Sequence, residues 1–163
     1  MTYRTTTRLL LTIALALAVG SLLAVPASAA SLAELMRNSG IKYSGPDSNG
    51  VYQIDYDGDN VPLIQVNVAL AGEGAFQTVC LFSRVIKVDD VRKWDVAVFP
   101  WLLERPGELP HGSFLLADEG RQVIYLDRFP LSGLDSASLG KFIAVAVLVV
   151  DDTYPKLKNY VKG

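Results

Sequence analysis

A chain of 163 residues with 15 basic and 17 acidic side chains, a single cysteine and a single histidine cannot form an intrachain disulfide, nor supply the roughly four N or S ligands of a structural zinc site. Its basic residues are scattered within a slight acidic excess. Nucleic acid and anionic membrane surfaces, which need clustered Lys and Arg, are therefore poor partner candidates.

The first thirty residues read as an export signal. Arg4 and Arg8 are their only charges, Leu9 to Val25 is an almost unbroken apolar run, and Pro26-Ala27-Ser28-Ala29-Ala30 follows. Small residues at Ala27 and Ala29 fit the A-x-A cleavage pattern, so cleavage is expected after Ala29 or Ala30. The run of 17 residues falls just short of the roughly 20 that span a bilayer comfortably, and an uncleaved anchor is the alternative. The arginines are not adjacent and no cysteine lies near the cleavage site. Two basic and no acidic residues leave with residues 1–30, so the mature chain, 31–163, carries 13 basic and 17 acidic side chains and a net charge of -4. Its length suits one domain able to bury a core without staples.

Ser31 to Asn38 reads as a short helix. Ser31 caps it, Glu34 completes a capping box, Leu32, Leu35 and Met36 share a face, and Gly40 stops it. After the turn chemistry of Pro46 to Gly50, Tyr52, Ile54 and Tyr56 alternate with Gln53 and Asp55 as a first strand. Asp57-Gly58 is expected to make a tight turn into a second strand, Val61 to Leu70, with Ile64, Val66, Val68 and Leu70 on one face. Gly72-Glu73-Gly74 leads to a third, Phe76 to Val88, and the three strands form an antiparallel meander. The third strand is apolar on both faces, with Phe76, Cys80, Phe82 and Ile86 on one and Val79, Leu81 and Val85 on the other. A sheet with one wet face alternates more cleanly. Either this strand is covered twice, or its second face meets another chain.

Val91, Trp94, Val98, Trp101 and Leu102 recur at helical spacing after a cap at Asp89 or Asp90. Pro100 predicts a kink or two short helices. Phe114 to Ala117 and Gln122 to Phe129 form a second hairpin around Glu119-Gly120. Asp135 then caps a long helix with Leu139, Phe142, Ile143, Ala146, Val150, Leu157 and Val161 on its apolar face, bent near Pro155. Its apolar stretch is too short to cross a bilayer. The expected architecture is α+β: helix, three strands, helix, two strands, helix, with one five-stranded antiparallel sheet and helices mainly on one face.

Leu103-Glu104-Arg105, Glu108-Leu109-Pro110-His111-Gly112-Ser113-Phe114, Val123-Ile124-Tyr125-Leu126 and Phe129-Pro130-Leu131-Ser132-Gly133-Leu134 together resemble the YbjN family. The similarity covers roughly residues 32–160 and is strongest after 102. The resemblance implies a type III secretion chaperone-like fold, a role among bacterial proteins described as sensory transduction regulators, and no enzyme activity; the residues themselves carry no cofactor fingerprint, so no cofactor is expected. The resemblance also implies relatives that dimerise and hold partly unfolded clients on sheet and helix surface. Fold alone does not establish function.

The residues themselves offer no catalytic set. His111, in a Pro-His-Gly turn, reads as an exposed loop residue rather than a base. Cys80, inside an apolar strand, reads as a small core residue, with a reactive thiol or a disulfide to a second chain as the alternative. Asp55-Tyr56-Asp57-Gly58-Asp59-Asn60 fails the calcium-loop spacing, with Asn60 at the glycine position and Val66 at the glutamate position, and reads as an acidic turn. Asp151-Asp152 reads as a solvated helix face. The turn glycines are not followed by a phosphate-binding pattern. Trp94, Phe99 and Trp101 are the one aromatic cluster of interest and the candidate binding residues. Core packing is their ordinary role, and an exposed anchor for a partner is the functional one.

The function expected is an exported, periplasmic or secreted, non-enzymatic protein-binding or regulatory module that engages a protein partner or itself. The rivals are a periplasmic small-ligand binder, with a pocket between the sheet and the Trp94–Trp101 segment, and a hydrolase of unrecognised type.

Overall fold

The structure is a computed structural model that describes residues 30–163; the expected export signal lies outside the described residues. Eight main elements follow in chain order: α1 (Leu32–Asn38), β1 (Tyr52–Tyr56), β2 (Ile64–Ala71), β3 (Thr78–Lys87), α2 (Val98–Glu104), β4 (Ser113–Ala117), β5 (Gln122–Pro130) and α3 (Ser136–Lys158). The five strands form one wholly antiparallel sheet in the order β1-β2-β3-β5-β4. The α+β order read from the sequence is the order found.

Period-2 alternation places the core. Tyr52↔Val68, Ile54↔Val66 and Tyr56↔Ile64 pair β1 with β2. Val68↔Leu81 and Leu70↔Val79 pair β2 with β3. Ser83↔Tyr125 and Leu81↔Asp127 pair β3 with β5, and Phe114↔Tyr125 pairs β5 with β4. A register shift between Arg84 and Ile86 marks a bulge at Val85, which raises the local twist. Leu32, Leu35 and Met36 of α1, Val98 and Leu102 of α2, and Leu139, Ile143, Ala146, Val150 and Leu157 of α3 join the inward residues of the strands in one buried cluster. All three helices therefore pack on a single sheet face. At about 25 cal/mol per Å², this shared burial is the main stabilising term.

Local signals set the helix ends. Ser31 and Glu34 make the reciprocal capping box, with the Glu34 N–H donating to Ser31 Oγ at 3.3 Å and the Ser31 N–H to Glu34 Oε2 at 2.9 Å. The Asp135 carboxylate accepts from the Ser138 N–H at 2.6 Å. No helix of the described residues is long and apolar enough to cross a membrane.

Several boundaries differ from expectation. β3 begins at Thr78, and Phe76 sits in a single 3-10 turn, Gly74–Phe76, with 87% of its surface exposed. The segment after β3 is a 3-10 turn, Val91–Lys93, followed by the separate helix α2. Pro100 is tolerated in the first turn of α2, where its missing N–H would have had no intrahelical partner. α3 continues through Pro155 to Lys158. Val161 lies beyond it and pairs with Trp94 in an isolated bridge instead of extending the helix face.

The Asp57-Gly58 turn is a longer loop over residues 57–63, and Asp151 accounts for it. Asp151 is only 9% exposed, contrary to its reading as a solvated residue. Its carboxylate accepts from the backbone N–H groups of Asp59 (3.2 Å), Asn60 (2.9 Å) and Val61 (3.0 Å), and from the Asn60 side-chain amide (3.2 Å). Burial pushes the Asp151 pKa up, but these donors outweigh it and hold the group below its ordinary value.

Candidate protein-binding surface

α2 and the edge strand β4 frame an open apolar groove of about 260 Å³, lined by Phe99, Leu102, Leu103, Phe114, Leu115 and Leu116. Trp101 wedges the helix against the strand. Its ring stacks on Phe114 (centroids 6.3 Å apart) and tilts against Tyr160 (5.9 Å), and the Arg105 guanidinium lies 5.6 Å from its centre. Such contacts fix an orientation as well as bury area. Leu103, on the outward side of α2, is 82% exposed. β4 enters from Gly112, whose φ is +79° and whose Cα packs so closely on Tyr125 that a Cβ would fall 2.5 Å from the phenol oxygen. Only glycine fits there.

The aromatic cluster does not form one surface. Trp94 is 3% exposed and its Nε1–H donates to the Gly120 carbonyl at 2.8 Å, so it belongs to the core. Trp101 is half-buried, and Phe99, 38% exposed, sits at the groove. Flanking residues that the sequence reading did not single out, Leu103, Leu115 and Leu116, supply most of the exposed apolar surface. Their signal was available: Leu115-Leu116 puts apolar side chains on both faces of a short edge strand, where natural edges usually carry charge.

The sheet face opposite the helices is uncovered among the described residues. Cross-strand partners place Asn67, Phe82, Leu126 and Ser113 in one row across β2, β3, β5 and β4, with Gln65, Arg84, Ile124 and Leu115 in the next and Ala69, Cys80 and Arg128 on the other side. Arg84 and Arg128 interrupt the second face of β3 and β5, so it is mixed where the sequence suggested an apolar one. A shallow depression of about 290 Å³ lies among Leu63, Gln65, Asn67, Phe82, Arg84, Gln122 and Ile124. Leu115 borders both this face and the α2–β4 groove, making the two surfaces continuous.

His111 is not a free loop residue. Its Nδ1 contacts the carboxylate of Asp127, which is 5% exposed, and its ring stands edge-on to Phe129 (5.4 Å) and Phe142 (5.2 Å). The Tyr125 hydroxyl lies 3.1 Å from the His111 carbonyl and 3.3 Å from Asp127. Burial, with the neighbouring Asp127 charge and its hydrogen bond, pushes the Tyr125 pKa up. Cys80 is nearly buried on the opposite sheet face, beside Arg128, so it does not meet His111. Among the described residues no group of three or more His, Cys, Asp or Glu side chains is placed to hold a metal ion.

This arrangement, an antiparallel sheet with helices on one face and the other face bare, is the type III secretion chaperone-like fold. Among solved structures, the ExsC–ExsE complex matches it with a TM-score of 0.56 and 15% sequence identity, over 77% of this chain and 90% of the matched one. At that identity the likeness is one of fold. No family model and no curated protein matches the chain.

Proposed function

We propose that the chain is an exported, non-enzymatic protein-binding module of the YbjN type, chaperone-like, that holds a protein partner or a second copy on the surface around β4. The observation that carries this reading is the continuous uncovered apolar surface running from Phe99 and Leu103 through Leu115 to Ile124 and Leu126. Exposed contiguous apolar area of this kind marks interaction sites. The fold likeness to a protein solved in a complex supports it, as do the residues shared with the YbjN pattern. A shallow, open groove favours a polypeptide over a small ligand, which is usually enclosed on most sides. His111 supports the non-enzymatic part, since its imidazole is wedged against two phenyl rings and engaged by a buried carboxylate.

The test is a crosslinking pull-down after expression of the tagged full chain in its native host, beside a Leu103→Glu variant. Leu103 is exposed, so the substitution leaves folding intact while placing a charge in the groove. One protein recovered in near-stoichiometric yield from wild type and lost from the variant is expected. Equal recovery from both, or background only from wild type, would refute the reading. Export is read by N-terminal sequencing of the exported protein: a start at Ala30 or Ser31 is expected, and retention of Met1 argues against it.

A further inference from the structure

The open sheet face has a charge pattern that defines what covers it. On β2 to β5 its charged side chains are Arg84, Arg128 and, at one end, Lys87. Lys87 is already paired with Asp118 at 3.5 Å. Arg84 and Arg128 are exposed, and neither has an ion pair among the described residues. Among the described residues no acid pairs with either guanidinium: Asp55, on the same face at the edge strand β1, accepts from the Gln53 and Gln65 amides, and Asp118 is bound by Arg121 and Gln122 as well as Lys87. Two unneutralised guanidiniums thus stand on the bare face of a chain whose described residues carry an acidic excess.

Register places an apolar pair between them. Arg84 is opposite Ile124, Phe82 opposite Leu126, and Cys80 opposite Arg128. The arginines are four residues apart along the strand direction, about 13 Å at roughly 3.3 Å per residue, with Phe82 and Leu126 midway. An extended chain lying along the strands presents side chains four apart at that same spacing. We infer that this face binds an extended polypeptide segment carrying carboxylates four residues apart with apolar side chains between them. Arg84 and Arg128 take the carboxylates, and Phe82 and Leu126 the apolar groups. This rests on the protein-binding reading above and narrows it to a class of partner. A second copy docked through the same face is disfavoured, because a two-fold interface is self-complementary and would bring four guanidiniums together.

The probe is a fluorescein-labelled twelve-residue peptide with Asp at every fourth position and Leu and Ser between, compared by anisotropy with the same peptide carrying Lys for Asp. Expected are binding of the acidic peptide about tenfold tighter than the basic one, weakening with salt, and a loss of about threefold in Arg84→Gln or Arg128→Gln and about tenfold in the double variant. Both positions are exposed, and an unchanged thermal melt of the double variant establishes that it is folded. Equal or tighter binding of the basic peptide, undiminished binding by the double variant, no binding of the acidic peptide, or self-association abolished by Phe82→Asp would each overturn the inference. If the pull-down partner is lost in Leu103→Glu yet retained in the double Arg variant, this inference fails while the protein-binding reading stands.

Discussion

Replacing Asp151 with alanine removes the acceptor of three backbone N–H groups and one side-chain amide that tie loop 57–63 to α3. Hydrogen bonds to a charged group contribute about 1.5–3 kcal/mol each. Asp59 and Asn60 are exposed, so water replaces part of the loss. Counting roughly two of the bonds as unreplaced gives about 3 kcal/mol, or a fall in Tm of roughly 10 °C for a domain of this size. The assay is urea unfolding of wild type, Asp151→Ala and Asp152→Ala, the last an exposed neighbour that should change stability by less than about 0.5 kcal/mol. The folded-state pKa of Asp151 lies below its ordinary 3.8. Its contribution is therefore complete above pH 3.8 and fades as pH falls through the folded value, so the gap between wild type and Asp151→Ala must narrow in that acid range. An Asp151→Ala protein as stable as Asp152→Ala at neutral pH would refute the reasoning.

Gly58→Ala should destabilise by more than about 1 kcal/mol, because the new Cβ would meet Asp151 Oδ1 at 2.4 Å and the Val61 carbonyl at 2.7 Å; urea midpoints decide it. Ser83→Ala should be neutral or stabilising by about 1 kcal/mol in the same assay, since the fully buried Ser83 hydroxyl has no hydrogen-bond partner among the described residues. In a carboxyl NMR titration, Asp90 should titrate at about pH 2, held down by the Arg92 side chain and its backbone N–H, and Arg92→Ala should move it toward 3.8. Ultraviolet titration should find Tyr125 resisting ionisation at pH values where exposed tyrosines have ionised, with the difference removed in Tyr125→Phe.

What the sequence made legible is what local chemistry dictates. The alternation of Ile64, Val66 and Val68 named both a strand and its buried face, and Ser31-Glu34 and Asp135 announced helix starts through side chains that bond three residues on. Phe76 was misplaced because an apolar residue beside a glycine turn looks the same whether it extends a strand or tops a 3-10 turn. The roles of Asp151 and His111 were hidden for a different reason. Asp151 acts on residues about 90 positions away, and His111 meets Asp127 only because β5 lies beside β4; no periodicity carries such pairings. Trp94 and Trp101 share a helical spacing, but the break before α2 sends Trp94 into the core and wedges Trp101 against Phe114, while Phe99 lines the groove.

The strand order carries a consequence for how a growing chain matures. β3 lies between β2 and β5, and its inward side is roofed by α3 from the far end of the sequence. As the chain emerges N-terminus first, the meander can zip up early, since β1, β2 and β3 are neighbours in sequence. Val66, Val68, Val79 and Leu81 then wait bare until Leu139 to Leu157 emerge. At about 5–20 residues per second, that interval lasts seconds, long enough for a holdase to act. Chains cut short before α3 should therefore be degraded or aggregate, and the final lock on the first hairpin is set by a residue among the last to be made.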